Sequence, residues 1–482
     1  MNRREFLASA IAGLAPPSPP PPPRHPAYPQ PTRKQNVILF LADDLGARDL
    51  GCYGSLYHDT PNLDRFAQTA MRFTQAYAAS PVCSPSRASL LTGKYPARLR
   101  LTDWIPGRKL SPSVRLLTPG FEPHLPLSET TLAEALKPYG YVSACIGKWH
   151  LGSAGFSPRE QGFAWNRGGS EQGSPPSYFP PYRIPGLEPR SDQEYLTDHL
   201  TACAEQFLEE HWRDPFFLYL AHFAVHTPLE AKPELVAKYE QRAATLRPQS
   251  QPTYAAMLES LDQSFGRILK KLEDLKIADR TAIFFLSDNG GLRFEGQNST
   301  PVTDNAPLRA GKGHLYEGGI RIPFLVRWPG VSLAGASRVP VSTIDVMPTV
   351  LDLLGIPSPP LDGVSLAPLL RGSLDGARRD LFWHYPHYSN QGGVPCAAIR
   401  RGDYKLLEFF EDGRLELFHL TTDPSERRNL VNREASRAKE LLNSLRNWRL
   451  RVGALLPQPN PNYEPAKAGA SLAGVEAPTP PV

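Results

Sequence analysis

Short, nearly unbroken apolar runs constrain this chain more than any other feature. They are Asn36–Leu41, Tyr141–Ile146, Phe216–Leu220 and Thr281–Leu286. Each is too short for a typical helix and has almost no polar position, the pattern of a strand buried on both faces. Helical patterns lie between them, at Thr60–Ala70, Ser128–Leu136, Asp192–Glu210 and Tyr254–Leu275. This alternation specifies an α/β protein, a sandwich around a largely parallel central sheet. With 482 residues the chain is long enough for that core and a smaller subdomain.

Polar clusters follow every run: Asp43-Asp44, Lys148-Trp149-His150, His222 with His226, and Asp288-Asn289. Ligand sites in open parallel sheets lie beyond the carboxyl ends of the strands, so one site can be assembled from distant segments. Asp43, Asp44, Asp288 and Asn289 offer hard oxygen donors suited to Ca²⁺ or Mg²⁺. Without a cation, these carboxylates at adjacent strand ends would repel one another. Lys148 and His150 are two apart, so in extended chain both side chains face the same way. His222 reads as structural.

Two further segments carry chemistry. Cys83-Ser84-Pro85-Ser86-Arg87-Ala88-Ser89-Leu90-Leu91-Thr92-Gly93 reads as a short helix, with Ser84 as N-cap, Pro85 at the first helical position and Gly93 as the stop. Cys83 would then face the positive end of the helix, a setting for an anion or an activated nucleophile. Gly311-Lys312-Gly313-His314-Leu315-Tyr316-Glu317-Gly318-Gly319 is a glycine-rich loop that can bring an ammonium against an oxyanion.

The Cys83 segment resembles the signature of the formylglycine-dependent sulfatases, Cys-x-Pro-Ser-Arg-x-x-x-Leu-Thr-Gly, of the alkaline phosphatase superfamily. The Lys312 loop is similar to that family's Gly-Lys-Gly-x-x-Tyr-Glu-Gly-Gly. The resemblance runs from about Gln35 to Leu430, and Lys94 stands where many members have arginine. It implies an alkaline-phosphatase-like α/β/α sandwich. It also implies that a maturation enzyme oxidises Cys83 to formylglycine (3-oxoalanine), whose hydrate attacks a sulfate ester. The metal set becomes Asp43, Asp44, Asp288, Asn289 and an oxygen of modified Cys83, with Ca²⁺ (or Mg²⁺) as the ion. Arg87 holds the hydrate, Lys148 and Lys312 contact sulfate, His150 bonds the formylglycine hydroxyl, and His226 contacts sulfate and protonates the leaving alcohol. Phosphonate monoester or phosphodiester hydrolysis on the same scaffold, and a non-catalytic glycan-binding role, are the alternatives.

Trp383-His384-Tyr385-Pro386-His387-Tyr388 is rich in groups that stack on sugars or bind hydroxyls. It suggests a sulfated carbohydrate as substrate, with His384 and His387 at its rim. The long connections Ala97–Pro126 and Ser153–Pro189, with Trp104 and Trp165, are expected to shape the cleft.

The net charge of +5 is mild and no basic helix occurs, which argues against a nucleic-acid partner. Arg3-Arg4-Glu5-Phe6-Leu7 and the short apolar run after it resemble a twin-arginine export signal, too short to anchor in a membrane. Residues 1–33 are therefore expected to be signal and proline-rich linker. Residues 34–370 form the catalytic domain, 371–457 a subdomain with a small antiparallel sheet, and 458–482 a disordered tail. Cys52, Cys145, Cys203 and Cys396 are free or bridged; their spacing does not decide.

Overall fold

The strands Asn36–Ala42, Phe216–Ala221 and Thr281–Ser287 are buried at every position. These belong to a computed structural model that describes residues 34–109, 114–294, 301–373 and 379–464. Alternate side chains of the first strand enter opposite cores. Ile38 and Phe40 pack with Leu200, Phe207, Leu261 and Phe265, while Val37, Leu39 and Leu41 pack with Leu90, Leu91, Val346 and Val350. The helices Leu196–His211 and Pro252–Asp274 thus cover one face, and Cys83–Thr92 and Val346–Leu353 the other. A two-residue period with apolar groups in both registers demands such double cover.

The main sheet is eight-stranded, in the order Gly335–Ser337, Met71–Phe73, Phe324–Arg327, Thr281–Ser287, Asn36–Ala42, Phe216–Ala221, Val142–Gly147, Trp165–Arg167. Phe324–Arg327 runs antiparallel to both its neighbours, and the remaining pairs are parallel. The expected α/β sandwich is observed. The helix expected at Ser128–Leu136 is shorter, Leu132–Leu136, because a capping box between Thr131 and Glu134 sets its start.

A second sheet is antiparallel, in the order Leu381–Tyr385, Cys396–Arg401, Tyr404–Phe409, Leu415–His419. One face packs on the helix Ala435–Val452 through Leu441, Leu445 and Trp448; the other meets Tyr77, Val82 and Leu315. Leu381–Tyr385 is a strand with both faces buried, so the aromatic run read as a carbohydrate rim starts as sheet core. Trp165 likewise pairs in the main sheet beside Ala144 and packs on Phe207. Gln458–Pro459, at the start of the expected tail, pairs with Leu116–Leu117. The export-signal segment and residues 465–482 lie outside the described residues. All five cysteines are free. Among the described residues no helix is long and apolar enough to cross a membrane.

Candidate active site

The strands that precede the polar clusters are consecutive in the main sheet and mutually parallel, so their carboxyl ends share one edge. Backbone bonds stitch that edge together. Asp43 N donates to Ala224 O at 3.0 Å and Val225 N to Asp43 O at 2.8 Å, which ties the first strand to the loop carrying His226. Lys148 N donates to Ala221 O at 2.7 Å. Gly147 before it has φ 96°, and a Cβ there would lie 2.0 Å from the same carbonyl, so only glycine fits. Asp44 and His150 hold left-handed backbone, φ 59° and 57°, a strained choice for residues with a Cβ that recurs at functional positions.

The helix Cys83–Thr92 starts earlier than expected. Val82 is its N-cap, without a side-chain cap, and Ser84 and Pro85 sit inside the first turn. First-turn N–H groups have no intrahelical acceptor, so proline is tolerated there. Ser84 is left free for another task, and its Oγ accepts from Ile105 N at 3.1 Å. Gly93 ends the helix with φ 65°, as expected. Arg87, one turn after Cys83, lies on the same helix face.

Arg87 is fully buried. Its Nε and Nη2 both lie 2.8 Å from Asp288 Oδ2, and Nη1 donates to Lys148 O at 2.9 Å. Lys148 Nζ is 2.6 Å from Asp43 Oδ2. Asp44 gathers three groups: Lys312 Nζ at 2.8 Å on Oδ2, Asn289 Nδ2 at 2.8 Å on Oδ1, and His226 Nε2 at 3.6 Å from Oδ2. The Lys312 loop is fastened by Lys312 N to Gly291 O at 3.0 Å and Gly313 N to Pro81 O at 2.8 Å, the latter just before Cys83.

Burial, aided by Asp288, pushes the Asp43 carboxyl well above its ordinary range despite Lys148 and Arg87. Burial would raise Asp44 too, but Lys312, His226 and Lys148 outweigh it and hold that carboxyl low. Arg87 and Lys148 do the same for Asp288 against its burial. Burial and the nearby Lys312 lower His226 to about 3, and burial with Lys148 lowers His150 well below the usual imidazole value.

Among the described residues, ligand atoms of Asp43, Asp44 and His226 lie within 4.8 Å of one another. Asp288 joins through Asp44 N, which donates to its Oδ1 at 3.2 Å. Asp43 Oδ1 and Asn289 Oδ1 are buried without a partner. Orphaned oxygens amid paired carboxylates are what a hard cation would satisfy.

A sulfatase family model matches residues 35–356, and one described as N-sulphoglucosamine sulphohydrolase, C-terminal, matches 310–451. The chain belongs to the sulfatase family. It is 33% identical to human arylsulfatase A, covering 87% of this chain and 87% of that protein. It is 35% identical to human N-acetylgalactosamine-6-sulfatase, covering 83% and 81%. The crystal structure of Ps i-CgsB in complex with k-i-k-neocarrahexaose superposes with a TM-score of 0.73 at 29% identity, covering 86% of this chain and 93% of that one. The sulfatase is a sulfuric ester hydrolase, and the curated relatives favour sulfate over the phosphodiester and non-catalytic readings.

In the sulfatase the two expected rim histidines part company. His384 turns away from the strand-end cluster: it is 6% exposed, its Nε2 sits 2.8 Å from Leu455 O, and its ring meets Phe410. It faces the C-terminal helix because strand alternation sends Trp383 and Tyr385 to the opposite side. His387, past the strand end, bonds Thr102 Oγ1 through Nε2 at 2.8 Å and packs on Tyr385. His222 is buried against Ser264, as expected of a structural group.

Sequence reasoning missed Asp103. Its Oδ1 accepts from Tyr385 Oη at 2.8 Å and Trp104 N at 2.9 Å, and a thiolate at Cys83 would act on both Asp103 and Tyr385. Nothing in the local sequence marks it, because loop 100–108 has no periodicity. The loop is positioned by Ser84 on one side and by His150, whose Nε2 lies 2.5 Å from Ile105 O.

Proposed function

We propose that this sulfatase cleaves sulfate monoesters of a carbohydrate, using formylglycine made from Cys83 and a Ca²⁺ ion held by Asp43, Asp44, Asp288 and Asn289. The observation that carries this reading is the convergence on Asp44 of Lys312, Asn289 and His226 from separate segments. The hydrate of the matured residue supplies the hydroxyl for attack on sulfur, and the bound ion supplies Lewis acidity toward a sulfate oxygen.

The protein's own residues have separable tasks. Lys148 and Lys312 now neutralise Asp43 and Asp44. With a divalent ion in place, both ammonium groups are free for the oxygens of an anionic ester, where charge builds in the transition state. Arg87, clamped by Asp288 and the Lys148 carbonyl, keeps a fixed positive charge one turn from residue 83. His150 donates from Nε2 to the Ile105 carbonyl, so its orphaned Nδ1 can accept from a hydroxyl. His226 donates from Nδ1 to Thr227 O at 2.7 Å, which leaves Nε2 as the acceptor facing the site. An anionic ester beside Nε2 raises its basicity, so Nε2 can take up a proton from solvent as the ester binds and pass it to the departing alcohol. The carbohydrate assignment is supported by the names of the relatives and by the carbohydrate bound to Ps i-CgsB.

The test is co-expression with a formylglycine-generating enzyme and mass spectrometry of the Cys83 peptide. Sulfate release from an aryl sulfate and a panel of sulfated sugars follows. Calcium should raise the melting temperature and chelation lower it. Converted, calcium-loaded protein that releases no sulfate from any ester would refute the reading.

A further inference from the structure

Asp103 is a buried carboxylate without a lysine or arginine ion pair among the described residues, although it lies within electrostatic reach of the nucleophile position. The strand-end carboxylates are each met by a cation: Asp43 by Lys148, Asp44 by Lys312, Asp288 by Arg87. A buried, uncompensated carboxylate is costly unless donors surround it. Asp103 has neutral donors only, namely Tyr385 Oη, Trp104 N and the Arg108 backbone N–H. Burial first, and then the neighbouring Cys83, push its carboxyl up to about 7 against those hydrogen bonds.

Asp103 Oδ2 and His387 Nδ1 lie 3.9 Å apart, too far to bond each other. A single hydroxyl donates and accepts at once, so it can bond both. Thr102 Oγ1 holds the far side of the imidazole, and Phe121 and Tyr385 pack on its ring, which fixes where Nδ1 points. The loop is tied to Ser84 beside the nucleophile and to His150. The hydroxyl it would receive is therefore close to the ester being cleaved.

We propose that Asp103 and His387 recognise a free hydroxyl on the alcohol half of the substrate, next to the sulfated position, and so select polyhydroxylated sulfate esters over simple aryl sulfates. This rests on the sulfatase reading above and names a specificity determinant for it. The cation side of the site reads the sulfate; this side reads the sugar.

The experiment pairs an enzyme change with a substrate change. Matured wild type and Asp103→Asn are compared on a sulfated monosaccharide, on its analogues each lacking one hydroxyl beside the sulfate, and on an aryl sulfate. Asp103→Asn keeps the side-chain size and an oxygen for Tyr385. Its kcat/KM should fall about 10- to 100-fold more on the sulfated sugar than on the aryl sulfate, because the carboxyl oxygen that bonds the hydroxyl is lost. Wild type should lose a similar factor on one deoxy analogue, and the two losses should not multiply in the variant. Equal losses on sugar and aryl esters, or fully multiplicative losses, would overturn the proposal. Should Asp103→Asn fail to fold, the wild-type series still decides: no analogue costing more than about threefold refutes hydroxyl recognition. Wild type active on aryl but not sugar sulfates sinks this inference alone. Activity on neither sinks the sulfatase reading itself.

Discussion

The two acidic sites, the strand-end carboxylates and the loop carboxylate Asp103, are built on opposite principles. Asp43, Asp44 and Asp288 sit at the ends of central strands and are each met by a cation, with contacts of 2.6 to 2.8 Å. Asp103 sits in a loop backed by the small sheet and is met by a phenol and backbone N–H groups, with an imidazole 3.9 Å away. The first arrangement is inherited from a rigid sheet and suits a doubly charged ion and an anion. The second depends on the loop and on the Leu381–Tyr385 strand, and suits an uncharged, hydroxylated group. Chemistry common to sulfate esters can therefore stay fixed while the neighbouring wall sets what the sulfate is attached to.

The largest effect should come from the proposed nucleophile position. On the proposed function Cys83→Ala removes the precursor of the nucleophile, and sulfate release should fall more than about a thousandfold on sugar and aryl esters alike. A loss confined to one ester class would break the idea that both clusters serve one reaction. Next comes Lys312→Ala, on the cation side. On the proposed function it removes a positive group that binds the ester, so kcat should fall about 10²- to 10³-fold irrespective of the alcohol. If that variant changed the sugar-to-aryl ratio more than tenfold, the division of labour would be wrong.

How much of this was legible beforehand follows the same divide. Asp43, Asp44, Asp288, Lys148 and His226 could be found because each follows an apolar run, and parallel strands deliver their ends to one edge. The helix start was displaced because Ser84 and Pro85 satisfy N-terminal preferences at several first-turn positions; only the contact with Ile105 explains which they take. Asp103 was invisible, since its importance comes from Tyr385 and His387, almost three hundred residues away in the chain. His384 was misplaced for a complementary reason. A strand buried on both faces carries aromatic and polar groups in alternation, and in sequence that is indistinguishable from a sugar-binding run.

A medium effect separates the two histidines. His387→Gln should lower kcat/KM on a sulfated sugar by about tenfold relative to the aryl ester, by removing the imidazole that completes the hydroxyl site. His384→Gln should move that ratio less, because its Nε2 is spent on the Leu455 carbonyl. Reversal of this order would return His384 to the substrate side.

The smallest effect is one of stability against pH. Burial lowers His384 from 6.5 to about 4 in the folded protein. Above pH 6.5 both folded and unfolded chains hold it neutral, and it adds no pH dependence. As pH falls below 6.5 the unfolded chain takes up the proton first, so stability is lost until the folded value near 4 is reached. The full span is worth about 3 kcal/mol. Glutamine can still donate to Leu455 O but does not titrate in this range. Melting curves between pH 7 and pH 4 should therefore be flatter for His384→Gln than for wild type. His222 and His314 shift downward as well and steepen both curves equally, whereas His387 is lowered by burial and by His384 itself, so the difference between the curves reports His384 together with its effect on His387. Parallel curves would mean that this imidazole is hydrated in the folded state, which would reopen the face of the strand that the helix Ala435–Val452 covers.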